Sequence, residues 1–414
     1  MAFATAQKLQ MIAAVVAGNL TYLKKTKSYF PQSEVKGKKY GMEMFGYLPD
    51  PGTVKHGIVA DPDSVNQPKI GVVMDNANSS CELDLWDELV NVEDFKEEIA
   101  KPRGENIALT VQKDVMELNM FRSAQAVVAT TANFKLLTDA SSKLDELAVG
   151  GTKVCFQNPT TNGTIAEGGL SRFIESARMR EIYEDAYLGQ YAGAAQVSIP
   201  LTPTVNTTGM SEHPTVTATV IKDKDNNVIG LEAATTITGS GSIIPGVPYT
   251  VNGLKIRNAA GVETNQPYTI IVTKELTGVD SDKNPVYATK IPELRVTVSG
   301  KGTNNGNAWI KASDIAGFIA GSTASLILQP VLTAGKTYAV GQCRTESCLG
   351  FDQYKFDSLP GSNTQDVGTF EGFTLKLMEF GEGKQGVKLV RIDMTYAAKL
   401  YDHRESVTTY LQLD

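Results

Sequence analysis

The chain has 414 residues, of which 42% are hydrophobic and 21% are charged, and its formal net charge is −7. A chain of this length and composition predicts two or three domains with packed cores. The acidic balance argues against a protein that grips nucleic acid by its phosphates, because such proteins present a basic surface. No run of about 18 apolar residues occurs, which argues against a membrane-spanning helix.

The first 38 residues begin with an apolar stretch, AAVVAG, and continue as a basic and irregular segment. The apolar stretch is short and has no strongly basic region before it, so an N-terminal helix or arm is favoured over a signal peptide. The low apolar density after it predicts an extended arm that becomes ordered on a partner surface.

Residues 39–90 contain two strand-like pieces, YGMEMFGYLP and KIGVVMD, joined by a long loop rich in Pro, Asp and Gly. A two-stranded excursion cannot bury much by itself, because isolated hairpins are marginal in water. We therefore expect this extended loop to lie on something else, and a neighbouring subunit is the favoured surface.

The strongest helical signal lies in residues 92–123. VEDFKEEIA is rich in the acidic residues that helix starts prefer. Pro102 and Gly104 then predict a break, followed by a longer helix to about Ser123. One apolar stripe along that helix is formed by Ile107, Val111, Val115 and Leu118. We expect the stripe to face a sheet made partly by the C-terminal strands.

Residues 128–203 alternate helical and strand patterns, which predicts a compact α/β layer. The segment DASSKLDELAVGG predicts a helix with Asp139 as its N-cap and a stop at Gly150-Gly151. A buried strand, TKVCFQNP, follows, and 165–187 is helical in pattern. AGAAQVSIPLTP reads as a strand broken by proline.

Residues 204–336 form a polar block of short alternating runs, rich in Thr, Asn and Gly, which predicts an all-β module inserted into another domain. Asn252-Gly253 predicts a type I′ hairpin turn, because that turn needs positive φ at both central residues. The predicted strands are 215–221, 247–251, 254–258, 268–274 and 293–299.

Strand patterns return after this block. TYAVGQCR leads to a loop, and the chain ends with three further strands, GFTLKLMEF (372–380), VKLVRIDMTYAAKL (387–400) and VTTYLQL (407–413). The first two of these strands are joined by GEGKQG, which is favoured as a plain hairpin turn.

No segment makes a persuasive active site. GEGKQG and GSGS lack the spacing of a phosphate loop. The acidic clusters lie where helices begin, so a solvated helix face is favoured over a glycosidase pair; these residues are Asp84, Asp87, Glu88, Glu93, Asp94, Glu97 and Glu98. We predict no catalytic, cofactor-binding or metal-binding residue.

The cysteines and histidines are dispersed along the chain. A zinc site needs ligands at tight spacing, and only the pair in CRTESC is close in sequence. Separate reduced thiols in a chain made in the cytoplasm are therefore favoured. The residues concerned are Cys81, Cys155, Cys343, Cys348, His56, His213 and His403.

The order of these elements resembles the major capsid (coat) proteins of tailed bacteriophages, which have the Hong-Kong-97 fold, and in particular the P-22-like branch with an inserted β-barrel domain. Residues 82–124 look like the end of the family's extended loop and its spine helix. VCFQNP (154–159) and residues 171–203 are similar to the apical domain. Residues 389–413 are similar to the closing strands, which pass through an aromatic-charged turn, Tyr401 to Glu405.

The resemblance implies an α+β fold with named parts. These are an N-terminal arm (1–38), an extended loop (39–90), a spine helix and peripheral domain (91–127), an apical domain in two parts (128–203 and 337–370), an inserted β-barrel domain (204–336) and C-terminal strands of the peripheral domain (371–414).

The resemblance also implies a structural role in the virion, after assembly in the host cytoplasm. Copies form pentamers and hexamers of an icosahedral shell around a scaffolding protein, with a portal protein and in some cases a decoration protein. The shell encloses double-stranded DNA without sequence-specific binding. Two alternatives stay open: a binding or adhesion protein that carries the β module, and an enzyme whose site is not recognised. Loops 223–227 and 280–284 are candidate contacts with neighbouring subunits.

Overall fold

A computed structural model gives the architecture of most of the chain. It describes residues 12–16, 18–29, 43–52, 54, 65, 67–84, 101–169, 190–191, 193–210, 213–238, 243–281, 285–301, 306–353, 364–370, 372–382 and 387–413. The chain divides into two compact units. The first unit comprises Met1–Phe45, Gly71–Val115 and Gly350–Lys399, and the second comprises Gly46–Ile70, Met116–Leu349 and Leu400–Asp414.

Strands dominate the regular structure, and the predicted α+β class is confirmed. Among the described residues, the helices after the N-terminal segment are α1 Lys101–Asn119, α2 Phe134–Glu146, α3 Pro159–Gly169 and α4 Ala312–Ile315, with a 3-10 helix at His403–Glu405. The strands before the β block are β1 Glu43–Tyr47, β2 Lys69–Val73, β3 Asp75–Asp84, β4 Gln125–Ala129, β5 Lys153–Gln157, β6 Gln190–Tyr191, β7 Ala194–Ser198 and β8 Thr204–Asn206.

The β block and the C-terminal region contain the remaining strands. Those of the block are β9 Thr215–Lys222, β10 Val228–Thr238, β11 Pro248–Arg257, β12 Glu263–Ile271, β13 Thr273–Val279, β14 Pro285–Lys290, β15 Arg295–Val298, β16 Ala308–Ile310, β17 Ile319–Ala320, β18 Thr323–Ile327 and β19 Gln329–Pro330. The last are β20 Thr337–Thr345, β21 Leu349–Gln353, β22 Thr364–Phe370, β23 Phe373–Glu382, β24 Val387–Leu400 and β25 Ser406–Gln412.

In the first unit, strands from the two ends of the chain share one sheet. Its order is β21-β24-β23-β22, and β3 also pairs with β24, on the edge opposite β23. The β3–β24 ladder is antiparallel and runs over ten paired residues, from Asp75 opposite Tyr396 to Asp84 opposite Val387. The first and last parts of the sequence are therefore interdependent in this unit.

Helix α1 has the buried stripe that the sequence predicts. Ile107 is 4% exposed, Val111 and Val115 are fully buried, and Leu118 is half-buried. Gly104 does not interrupt the helix, because α1 runs through it and ends at Asn119, four residues before Ser123. The predicted break near Pro102 stays a prediction, because α1 begins at Lys101 and the residues just before it lie outside the described ones. As described, Pro102 is the second residue of α1, where an N–H makes no bond within the helix. The short helix predicted before it lies outside the described residues.

Gly104 is explained by a close approach of the N-terminal segment. A Cβ atom at Gly104 would lie 3.1 Å from Cγ1 of Val15 and 3.2 Å from the carbonyl oxygen of Ile12. A few residues further along, the backbone N–H of Tyr22 donates to Oε1 of Gln112 at 3.1 Å. Glycine therefore lets the N-terminal segment lie directly against the helix.

Part of the predicted arm is buried in its own subunit. Residues 12–16 and 18–19 are helical, and the buried apolar side chains of this segment are Ile12, Ala13, Val16, Leu20, Tyr22 and Leu23. The expectation that the arm needs a partner surface is therefore wrong for residues 12–23. Its apolar residues are close enough in sequence to cover one helix face, which the average density over 1–38 does not show.

The extended loop also rests partly on its own chain. Strands β1 and β2 form a two-stranded sheet. Met44, Val72 and Met74 pack with Ala397 of β24 in a buried cluster. The backbone N–H of Leu48 donates to the carbonyl of Pro68 at 3.0 Å. Most of the loop between them, residues 55–64, lies outside the described residues.

The second unit contains a mixed sheet of seven strands in the order β4-β25-β20-β5-β7-β6, with β8 paired to β20. Helix α2 packs on it and contributes Leu137, Ala140 and Leu144 to a buried core. The prediction of Asp139 as the N-cap is wrong: α2 begins at Phe134, with Asn133 as N-cap, so Asp139 lies inside the helix. The pattern in FKLL adds an apolar turn, which extends the helix toward its N-terminus.

Nine strands of the β block form one further sheet in the second unit, in the order β12-β11-β16-β15-β10-β9-β18-β17, with β19 paired to β11. Loop 223–227 is a hairpin turn between β9 and β10, with Lys222 opposite Val228. Oδ1 of Asp223 accepts from the backbone N–H groups of Asp225 and Asn227 at 2.9 and 2.8 Å. The tip of the β13–β14 hairpin, 282–284, lies outside the described residues.

The predicted hairpin at Asn252-Gly253 is wrong. Strand β11 continues through both residues without a turn, and of the two only Gly253 has a positive φ, +78°. Along β11 the pairing advances five residues, from Thr250 to Lys255, while β12 advances two, from Thr269 to Pro267. The glycine therefore serves a bulge that bends one strand, which is another use of positive φ in a sheet.

Candidate functional site

Three buried polar residues with many hydrogen bonds form the turn between β24 and β25, which we call the 402–404 corner. It comprises Asp402, His403 and Arg404, each less than 10% exposed. The Asp402 side chain accepts from the backbone N–H of Arg404 at 3.0 Å and so caps the 3-10 helix. This corner lies within the aromatic-charged turn that the sequence singled out.

Asp402 and Arg404 form a buried ion pair. Nε of Arg404 donates to both carboxylate oxygens, at 2.8 and 3.1 Å, and Nη2 donates to Oδ2 at 2.7 Å. Burial alone would raise the pKa of Asp402, but the guanidinium of Arg404 lowers it to about 2. Nη1 of Arg404 donates to the carbonyl of Asn258 at 2.9 Å. The pair is therefore satisfied on both sides, as a buried ion pair requires.

His403 is held as a neutral acceptor. Its Nε2 lies 2.8 Å from Oη of Tyr268 and 3.2 Å from Nδ2 of Asn307. An amide NH₂ group can only donate, so Nε2 accepts and the ring hydrogen is on Nδ1. Burial, together with the positive charges of Arg404, Arg122 and Arg295, lowers the pKa of His403 to about 3.

Asn307 is itself fixed by backbone contacts on both sides of its amide. Its Oδ1 accepts from the backbone N–H of Arg295 at 2.9 Å, and its Nδ2 donates to the carbonyl of Glu293 at 2.5 Å. These contacts set the orientation of the amide. They confirm that Nδ2, not Oδ1, is the atom that faces His403.

The corner connects the C-terminal strand β25 to the nine-stranded sheet, because Asn258, Tyr268 and Asn307 all belong to the β block. The backbone N–H of Ala124 also donates to the carbonyl of His403 at 2.8 Å. The lone pair of Nε2 is occupied by two donors, so the ring cannot act as a general base in this arrangement. The residues of the corner therefore have a structural role: they hold the start of β25 against the β block.

The other singled-out residues are placed as follows. Cys155 and Cys343 lie opposite each other on β5 and β20 and form a disulfide, so the prediction of separate thiols is wrong for this pair. Cys81 and Cys348 take no part in a disulfide. His213 is exposed and far in sequence from His403. The sequence could not reveal the disulfide, because it depends on which strands become neighbours.

His56 and most residues of the acidic clusters, including Asp87 and Glu88, lie outside the described residues. The GSGS segment, residues 239–242, also lies outside them. Among the residues that the structure describes, no group of three His, Cys, Asp or Glu side chains is arranged to hold a metal ion. Within the same residues, no helix has the length and apolar character needed to cross a membrane.

Two surfaces of the second unit expose large apolar side chains. On the extended loop, Val54 and Val65 are each 82% exposed and Tyr47 is 48% exposed. On the β13–β14 hairpin, which forms its own two-stranded sheet, Val286 and Tyr287 are each 41% exposed. Two-stranded elements bury little on their own, so these are candidate contact surfaces.

No protein-family profile matches the chain, and no curated protein matches it. Similar solved structures exist at low sequence identity. "Capsid of Ralstonia phage GP4" is 9% identical, with an alignment that covers 93% of this chain and 86% of the phage chain, and it has a TM-score of 0.44. "Capsid structure of the Cyanophage P-SCSP1u" is 10% identical, with 94% and 86% coverage and a TM-score of 0.43.

A third structure, "Asymmetric unit of bacteriophage PhiM1 mature capsid", is 9% identical, with 93% and 84% coverage and a TM-score of 0.41. All three titles name phage capsids.

Proposed function

We propose that this chain is the major structural subunit of a bacteriophage capsid. In this proposal copies assemble into pentamers and hexamers of an icosahedral shell that encloses the DNA genome, and the chain is not an enzyme. Its partners are other copies of itself, a scaffolding protein, a portal protein and, in some particles, a decoration protein. The assembled protein is part of the virion.

The observation that carries the proposal is the composition of the first unit. Helix α1 buries Ile107, Val111 and Val115 of its stripe, and β3 pairs along ten residues with β24, near the other end of the chain. This is the relationship that the resemblance implies for the spine helix, the end of the extended loop and the closing strands. The β-rich block lies between them in sequence, where the P-22-like branch has its insertion.

The exposed side chains and the charge support the same proposal. A subunit that closes a shell needs apolar surface left over after folding, and the extended loop and the β13–β14 hairpin provide it. The net charge of −7 suits an inner wall that must not hold packaged DNA tightly, because phosphates are repelled by an acidic surface.

Electron microscopy of the overexpressed protein, with and without the neighbouring phage genes, tests the proposal. We expect closed shells or polyheads. Discrete monomers that bind a ligand through the β block would instead support the alternative, a binding or adhesion protein.

The extended loop offers a sharper variant. Deleting residues 50–67 and bridging the gap with two glycines should leave a soluble, folded subunit, because the Leu48–Pro68 hydrogen bond already brings the ends of the segment together. The same deletion should block shell assembly, since Val54 and Val65 are removed. Normal shells from this variant would contradict a role for the loop in contacts between subunits.

A further inference from the structure

A pocket lies between the 402–404 corner and the start of the extended loop. One wall is apolar and comes from the extended loop, with Leu48, Pro49, Pro51 and Pro68. The opposite wall is polar and comes from Arg295, Asn307 and the 402–404 corner. All of these residues belong to the second unit.

The charges of the polar wall do not cancel. Asp402 is fully engaged by the guanidinium of Arg404, and the remaining Nη1 of Arg404 donates to the Asn258 carbonyl. Arg295 uses its backbone N–H on Asn307, while its side-chain Nε is buried and has no hydrogen-bond partner among the described residues. The wall is therefore left with one net positive charge, that of Arg295. Because its Nε is inaccessible, a ligand in the pocket would contact the terminal nitrogens of the guanidinium.

A second donor lies on the same wall. Because Nε2 of His403 accepts two hydrogen bonds, the ring hydrogen is on Nδ1. A guanidinium is best satisfied by the two oxygens of a carboxylate. The prolines and Leu48 opposite would contact an aliphatic stem.

We propose that this pocket binds a single carboxylate on a short aliphatic stem, with Arg295 as its principal partner. Resting on the function proposed above, we assign that carboxylate to an acidic side chain of a neighbouring copy of this chain. The chain has 46 Asp and Glu residues against 39 Lys and Arg, so copies have acidic side chains to spare. A free carboxylate from solution is the other possible source.

Acetate tests the pocket in the dispersed subunit, independently of assembly. The chain has three histidines, so histidine-labelled protein gives three sets of ring signals, and His56→Gln and His213→Gln variants identify that of His403 by elimination. Replacing chloride by acetate at constant ionic strength should shift the His403 signal to saturation. Arg295→Gln should abolish saturation, and Arg295→Lys should weaken acetate binding about tenfold, because ammonium is not bidentate.

Lys301→Gln is the matched control, since it removes a positive charge from an exposed turn of the same sheet; it should bind acetate as the wild type does. A His403 signal that does not respond to acetate in the wild type would overturn the carboxylate pocket. So would equal saturation in the Arg295→Gln protein.

Assembly distinguishes the source of the carboxylate. Arg295→Gln should raise the critical concentration for shell formation about tenfold, the effect of losing one charge-assisted hydrogen bond, while Lys301→Gln should not. Acetate binding combined with unchanged assembly of Arg295→Gln would overturn the assignment to a neighbouring copy. If the wild type forms no shells at all, the proposed function fails, and the acetate titration still decides the pocket.

Discussion

Cys155 and Cys343 face each other across two antiparallel strands and close a covalent loop with a sequence separation of 188 residues. The loop contains the entire β block. Both cysteines belong to the buried core beneath helix α2, with Leu137 and Ala140. The bond therefore fixes the pairing of β5 with β20, the two strands between which the β block lies in sequence.

Reducing this disulfide should lower the free energy of unfolding by about 2–5 kcal/mol, because the open chain regains loop entropy in the unfolded state. Urea unfolding with and without dithiothreitol measures the effect. Cys343→Ala should unfold at the same urea concentration in both buffers. Cys81→Ser, which leaves the bond intact, should keep the wild-type response, and identical wild-type midpoints would contradict a stabilising bond.

The long terminal strands could be predicted from the sequence, and the pairings between distant residues could not. VKLVRIDMTYAAKL and TYAVGQCR predict β24 and β20 to within a residue or two, because long runs of β-forming residues define a strand locally. Asn252-Gly253 is ambiguous, since positive φ at glycine serves a turn or a bulge equally well. Tertiary pairing decides between them.

The 402–404 corner shows the same limit. The sequence singled out Tyr401 to Glu405 as an aromatic-charged turn, which is where the corner lies. Asp402 and Arg404 are only two residues apart. That His403 accepts from Tyr268 and Asn307, however, depends on residues that are 135 and 96 positions away. No local pattern encodes such contacts.

Stability should fall as the pH drops below the pKa of unfolded histidine, about 6.5. The folded state keeps His403 neutral until about pH 3, so between these values only the unfolded chain takes up this proton. The loss attributable to His403 is about 2 kcal/mol at pH 5. Asp402, with its pKa lowered to about 2, stabilises the fold at higher pH, and that contribution is lost only below about pH 4.

Urea unfolding at pH 7 and pH 5 isolates this contribution when the wild type is compared with His403→Gln. The variant should lose less stability between the two pH values than the wild type, by about 2 kcal/mol. His213→Gln, at an exposed position, should behave as the wild type. Equal pH dependence in all three proteins would show that His403 is not held neutral.

Val115→Asp should prevent folding. Val115 is fully buried in the α1 stripe, and an unpaired buried carboxylate costs several kcal/mol, a large part of the roughly 5–15 kcal/mol that stabilises a domain. We expect inclusion bodies instead of defective shells. Lys113→Asp, on the exposed side of the same helix, should remain soluble and assemble. A soluble, assembling Val115→Asp protein would contradict the spine-helix assignment, including the prediction that the stripe faces the C-terminal strands.

Residues 204–336, expressed alone, should fold cooperatively, because the nine-stranded sheet lies wholly within them. The isolated block loses the partners that the 402–404 corner gives to Asn258, Tyr268 and Asn307, so it should be less stable than in the whole chain.

Tyr268→Phe separates these two statements. In the full-length protein it removes the hydrogen bond to His403 and should cost about 1 kcal/mol. In the isolated block the hydroxyl has lost that acceptor, so the substitution should be neutral or slightly stabilising. Urea unfolding of the four proteins measures both effects. Poor chemical-shift dispersion in the isolated block would contradict an independent domain, while an equal cost of Tyr268→Phe in both contexts would show that the hydroxyl does not depend on His403.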